Sequence, residues 1–204
     1  AVDYLKAAYE KRRDWEKLIA LKKREIERVQ DTAQRTQLLV DIAKLASDKL
    51  KKPSVSIDLW SAVLAADGDN LEALTELEKL YEREKQWDPL AEVVSTLARL
   101  APDTAKRVAQ LQKLGILYSE KINDNDRAIR AWRALLEVEG ENRRAQDALK
   151  KLYLTQKSWT ELEEFYAAQN KLEEYVRVLE RQVETEDDAT KLTLSVRIGE
   201  LYRD

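Results

Sequence analysis

Residues 31–70 read DTAQRTQLLVDIAKLASDKLKKPSVSIDLWSAVLAADGDN, and residues 103–142 read DTAKRVAQLQKLGILYSEKINDNDRAIRAWRALLEVEGEN. Laid over one another at an offset of 72, the stretches share 14 of 40 positions, where this composition gives roughly three by chance. The replacements keep class: Ile42 lies over Leu114, Val63 over Leu135 and Asp48 over Glu120. A chain that matches itself at a fixed interval is built from repeated modules, each burying its apolar face against the next.

Outward from these stretches the interval persists. Trp15, Trp87 and Trp159 keep it, as do Tyr9, Tyr81 and Tyr153, and the pairs Trp60 and Trp132, Gly68 and Gly140, Asn70 and Asn142. Each block halves into units of about 36 residues, because the Trp15 type and the Trp60 type of segment each follow another amphipathic stretch. Two helices per unit follow. With 44% hydrophobic and 37% charged residues, four Gly and three Pro, the chain is too poor in breakers for a sandwich or barrel and too apolar for a disordered tail. An all-α chain of 11–12 helices is expected, over about 2–12, 14–30, 32–50, 54–67, 70–85, 87–101, 103–121, 126–139, 142–156, 158–168, 171–185 and 188–203. Asp31, Asp103, Asn70 and Asn142 are the N-caps, and Gly68 and Gly140 are assigned the left-handed residue that ends a helix. Pro53, Pro89 and Pro102 fall at joints or first turns, where a missing N–H is harmless. Trp60 and Trp132 lie among Ile57, Val63, Leu64 and Ile129, Leu135, Leu136 at helical spacing and read as core; Trp15, Trp87 and Trp159 read as packing on the preceding Tyr-bearing helix.

The pattern resembles the tetratricopeptide repeat. Leu114-Gly115, Tyr118, Ala128, Trp132, Leu135 and Gly140 place a small residue and an aromatic on a first helix, and a small residue and a large aromatic on a second. Ile42-Ala43, Ala46, Ser56, Trp60, Val63 and Gly68 keep that spacing; Leu77, Tyr81, Leu90, Val94, Leu97 and Pro102 follow it more loosely. Ile198-Gly199 and Tyr202 reopen it at an interval of 84, so the stretch from Trp159 to Glu184 holds an extra or shortened helix broken at Gln169-Asn170. The resemblance implies a right-handed α-solenoid of antiparallel helix pairs, with units at 1–30, 32–67, 70–101, 103–139, an irregular 142–185 and an incomplete 188–204, together one repeat domain of a longer, bacterial-type array. It further implies a concave groove lined by the first helix of each unit. On this pattern Gln37, Val40, Lys44, Thr75, Lys79, Arg83, Gln112, Ile116, Arg144, Asp147 and Lys151 face a partner peptide or helix, and lysines at 44, 79 and 151 favour an acidic or mixed partner.

Composition narrows the chemistry. With no His and no Cys, imidazole bases, thiolate nucleophiles and most zinc or haem sites are absent, so an enzyme is not expected and no cofactor or metal is expected. Paired acids such as Glu163-Glu164 and Glu173-Glu174 read as solvated helix faces. Asp124-Asn125-Asp126 lacks the later glycine and Glu of a calcium loop, and four isolated Gly build no phosphate loop. A formal charge of −3 gives no general attraction for nucleic acid. The basic runs Lys22-Lys23-Arg24 and Lys49 to Lys52 carry Glu25, Glu27 and Asp48 beside them and read as balanced, solvated faces. No apolar run is long enough to enter a bilayer. The reading is therefore a soluble protein-interaction scaffold, with an architectural spacer as the alternative. Its compartment is the bacterial cytoplasm ahead of the periplasm. The uncapped ends imply either a longer array or end-to-end self-association.

Overall fold

The computed structural model describes residues 2–203, and among them the chain forms twelve α-helices and no strand. Up to Gly140 they are α1 (Val2–Lys11), α2 (Trp15–Ile26), α3 (Thr32–Lys49), α4 (Pro53–Ala66), α5 (Leu71–Arg83), α6 (Trp87–Leu100), α7 (Thr104–Ile116) and α8 (Asn125–Val138). From Glu141 onward they are α9 (Arg143–Gln156), α10 (Trp159–Ala167), α11 (Leu172–Thr185) and α12 (Asp188–Leu201). The two groups are separate compact units.

In the first unit each helix packs on its neighbours in sequence, and connections of three to five residues, with one of eight between α7 and α8, make those neighbours antiparallel. The core is laid down by helical spacing: Ile42, Ala43 and Ala46 of α3, Leu59, Trp60 and Val63 of α4, and Ala73, Leu74 and Leu77 of α5 are all buried in one cluster. A second cluster joins Leu90, Ala91 and Val94 of α6 to Leu114 of α7 and Ala131 of α8. Pairing small residues with large ones lets the helices approach closely without leaving voids.

Helix starts are capped where the sequence places them. The side chains of Asp31, Asn70, Asp103 and Asn142 accept hydrogen bonds from the backbone N–H of Gln34, Ala73, Lys106 and Ala145, each satisfying one of the orphan donors of a first turn. The helix α2 is shorter than expected. It ends at Ile26, and Val29, whose apolar side chain extends the periodic pattern, lies beyond the turn at Glu27 and Arg28, outside any helix.

The assignment of left-handed conformation to Gly68 and Gly140 is wrong. No glycine has positive φ; the left-handed residues are Arg13, Lys85, Asn123, Lys157 and Asn170. A methyl group at Gly68 or Gly140 would meet only a backbone carbonyl at 3.8 or 3.7 Å, an ordinary contact. Arg13, Lys85 and Lys157 are themselves 72 apart, and each sits in the same joint. The N–H of Asp14, Gln86 and Ser158 donates across it to the carbonyl of Tyr9, Tyr81 and Tyr153, at 2.9 Å in all three, the six-to-one bond of a Schellman stop. That joint fixes the six-residue step from each landmark Tyr to its Trp, and Trp15, Trp87 and Trp159 each open the next helix.

A side chain in left-handed conformation is strained where glycine is not. Lys85→Gly is therefore expected to stabilise the protein by about 0.5–1 kcal/mol, whereas Lys85→Ala keeps the strain and gains nothing. Thermal denaturation of the two variants beside the parent checks this; a Gly variant that melts no higher than the Ala variant contradicts it.

The end of α7 departs from its counterpart. Residues of α3 stay α-helical up to Lys49, but Leu117–Ile122 winds as a π-helix and closes on Asn123 in left-handed conformation. The widened turn is held by Ser119 Oγ donating to the Gly115 carbonyl at 2.7 Å and by the Asp124 N–H donating to the Tyr118 carbonyl at 2.9 Å.

In the second unit α9 packs on α10, α10 on α11 and α11 on α12. Helix α10 is cut to nine residues and stops at a joint carrying left-handed Asn170, at the break read from Gln169-Asn170. Aromatic rings fill its core: Tyr166 and Tyr175 stand 5.8 Å apart between centroids, and Tyr153 and Phe165 6.2 Å apart. The Tyr175 hydroxyl donates to the Trp159 carbonyl at 2.9 Å, and burial pushes its pKa up to about 12. Arg197 of α12 ties back to Glu163 of α10 at 2.6 Å.

Candidate functional site

The residues assigned to a partner surface lie on first helices. In the first unit Gln37, Val40 and Lys44 belong to α3, Thr75, Lys79 and Arg83 to α5, and Gln112 and Ile116 to α7; in the second, Arg144, Asp147 and Lys151 belong to α9. Gln37, Lys44, Thr75, Lys79 and Arg83 are exposed, Gln112 and Ile116 half-buried, and Arg144, Asp147 and Lys151 exposed. Val40 is only 5% exposed and belongs to the core cluster, turned inward beside Ile42 and Ala43, so it is not available to a partner.

Lys44 and Lys79 of this surface carry partners already. Lys44 of α3 reaches Glu72 of α5 at 2.9 Å, and Lys113 of α7 reaches Glu78 and Glu82 of α5 at 2.9 and 2.8 Å. These pairs link α3, α5 and α7 side by side. Lys79 pairs within its own helix with Glu76 at 2.7 Å. Burial pulls the Lys113 ammonium down, but hydrogen bonds from it to Glu78 and Glu82 outweigh this and hold its pKa above the ordinary lysine value. Lys44 and Glu72 are about half exposed; such pairs contribute about 0–1 kcal/mol, so an incoming ligand can exchange for them at small cost.

A cleft of about 520 Å³ opens beside α5, where α3 turns into α4, within the roughly 300–1,000 Å³ of ligand sites. Leu50, Pro53 and Leu80 give it apolar walls; Lys51, Lys52, Lys79 and Arg83 line it against the single carboxylate of Glu76. A solvated face is thus an incomplete description of the Lys49 to Lys52 run, three of whose four residues border a concave site. A second cleft of about 280 Å³ runs between α5, α6 and α7 and includes Thr75. Among the described residues no group of three or more His, Cys, Asp or Glu is arranged to hold a metal ion, and no helix is long and apolar enough to cross a membrane.

Ser47 and Ser119 escaped the reading of the sequence as site residues although they are among the identities at interval 72. Each accepts the indole N–H of the following tryptophan: Trp60 Nε1 donates to Ser47 Oγ at 3.0 Å, and Trp132 Nε1 to Ser119 Oγ at 3.2 Å. Four residues before each serine stands the small residue, Ala43 or Gly115. A β-carbon built on Gly115 would lie 2.4 to 2.8 Å from three atoms of the Trp132 ring. Small residue, serine and indole therefore form one interlock inside a helix hairpin, made twice. The chain is an all-helical repeat protein.

No family model and no curated protein sequence matches the chain. Solved structures similar to it include the MamA protein, at 14% identity over 91% of this chain and 94% of that one with a TM-score of 0.42. A MamA fragment from Desulfovibrio magneticus matches at 14% identity over 85% and 93%, TM-score 0.40. A tetratricopeptide repeat protein from Parabacteroides merdae matches at 16% identity over 97% and 84%, TM-score 0.43. At this level the likenesses carry no argument about function, and the repeat assignment rests on the chain's own 72-residue period and its two interlocks.

Proposed function

We propose that the protein is a non-enzymatic interaction scaffold that binds a partner polypeptide along the exposed faces of its first helices. In this reading Gln37, Lys44, Thr75, Lys79, Arg83, Gln112 and Ile116 are contact residues of the first unit, and Arg144, Asp147 and Lys151 are contact residues of the second. The observation that carries it is the ion-pair linkage of α3, α5 and α7 through Lys44–Glu72 and Lys113–Glu78. It holds three first helices side by side and leaves polar side chains exposed on them, the surface on which an extended peptide or a helix makes side-chain contacts. Absence of His and Cys supports binding over catalysis.

A photo-crosslinking residue placed at Thr75 or Gln112 in cells of the source organism is expected to capture a discrete protein, and one at Ser95 of α6 is not. Simultaneous Lys44→Glu, Lys79→Glu and Lys151→Glu should abolish that capture. Capture that survives the triple reversal, or equals that at Ser95, would instead favour an architectural spacer.

A further inference from the structure

We infer that the cleft between the α3–α4 corner and α5 is a carboxylate-binding subsite, which seats an acidic side chain of an extended peptide next to an aliphatic one. The inference rests on the scaffold reading and names the chemistry of the partner.

Four cations line the cleft against the carboxylate of Glu76. From its rim Glu16 pairs with Lys52 and Glu84 with Arg83, and all four of these side chains are at least one-third exposed. Lys51 has no ion pair among the described residues. Positive charge thus remains in excess, and the existing pairs are of the exposed kind that exchange partners cheaply. Apolar contact from Leu50, Pro53 and Leu80 suits the neighbouring aliphatic residue.

Two comparisons inside the chain separate these residues from the needs of the fold. Shifted by 72, Lys51, Lys52 and Arg83 fall on Asn123, Asp124 and Thr155, whereas Ser47 and Trp60 fall on Ser119 and Trp132. The interlock is repeated, whereas of the four cations only Lys79 is, at Lys151. Asp124 caps α8 by accepting from the Arg127 N–H at 2.8 Å, but Lys52 stands at the same place before α4 and makes no side-chain cap bond. The chain forgoes a stabilising cap there and sets a cation against the positive end of a helix dipole. A hydroxyl distinguishes the two joints as well. Ser119 spends its proton on the Gly115 carbonyl; Ser47 accepts from Trp60 and, among the described residues, donates to nothing, so its O–H is free to serve a carboxylate in the cleft it lines.

The test titrates the isotopically labelled chain with a short peptide of alternating glutamate and leucine, blocked at both ends, and with its glutamine counterpart, following backbone amides by NMR. The glutamate peptide should shift Ser47, Leu50 and Lys51, weaken as salt is raised, and bind at least about tenfold more tightly than the glutamine peptide. Lys51→Glu should weaken it by a similar factor. Lys52→Asp should do so as well while melting no lower than the parent, a combination that a merely structural lysine cannot give. Equal binding of the two peptides, shifts confined to Gln37, Thr75 and Gln112, or no shift at all would each overturn the subsite. The scaffold reading is judged apart from it, by crosslinking at Thr75 and Gln112.

Discussion

Gly115→Ala is expected to destabilise the protein by about 1–3 kcal/mol, although the same change in an open helix interior is stabilising by about 0.8–1 kcal/mol. Gly115 lies inside α7, so the helix itself favours alanine. What opposes it is the Trp132 ring, with three atoms at 2.4, 2.6 and 2.8 Å from the position the methyl carbon would take. That ring cannot simply swing away: it is 2% exposed and its Nε1 is held by Ser119. Gly199, at the matching place in α12, has nothing within 4 Å of its added carbon, and Gly199→Ala should raise stability by up to about 1 kcal/mol. The opposite signs of two identical substitutions are the discriminating result in urea unfolding. Trimming the ring in a Gly115→Ala, Trp132→Leu double variant should show less loss than the sum of the single changes, because the two residues contend for one volume. A Gly115→Ala protein as stable as the parent would remove the interlock from the account.

The helices were legible because their punctuation is chemical. Asp31, Asp103, Asn70 and Asn142 announce first turns by side chains that can accept from backbone N–H groups, and the helices do start there. Their ends were less legible. Glycine is the usual left-handed stop, so Gly68 and Gly140 drew the assignment; α4 and α8 in fact end without a left-handed residue, and the left-handed stops close other helices, α1, α5 and α9, at Arg13, Lys85 and Lys157, residues with no preference for that conformation. Their signal was the constant six-residue step from Tyr to Trp, a spacing and not a residue type. The candidate surface was legible only by helix face. Helical periodicity placed Gln37 and Lys44 outside but carried Val40 with them, since a residue three positions on from one and four short of the other shares their stripe until packing rotates it inward. Charge pairing was hidden altogether. Lys44 and Glu72, or Lys113 and Glu78, meet only once the helices lie side by side, and no count along the chain shows it. The same limit applied to Lys51 and Lys52: neighbouring acids balance them in sequence, whereas the turn from α3 to α4 sets them beside Lys79 and Arg83.

Trp60→Ala and Trp132→Ala are each expected to cost about 3–5 kcal/mol, the largest loss from any single truncation in the first unit. Both rings are almost wholly buried, at 1% and 2% exposure, so removing either leaves a cavity as well as losing transfer energy. Neighbouring helices cannot collapse into the gap without breaking their own contacts with the next pair. Part of the loss is polar. Ser47 and Ser119 each accept an indole N–H, and truncating one of them to alanine leaves that donor buried and unpaired, at about 1–3 kcal/mol. Replacing the indole by phenylalanine instead keeps most of the apolar volume and removes the donor with it, so Trp60→Phe should fall between the parent and Trp60→Ala. The serine and tryptophan changes should then be strongly non-additive, since Ser47→Ala costs little once no N–H faces it. Trp15 and Trp87 are only partly buried, and their alanine variants should lose less. Guanidinium unfolding of the six single variants and the Ser47→Ala, Trp60→Phe double variant orders these effects. If Trp87→Ala proved as damaging as Trp132→Ala, the interlocks would not be what holds the hairpins together, and the spacing of 72 would mark surface contacts in their place.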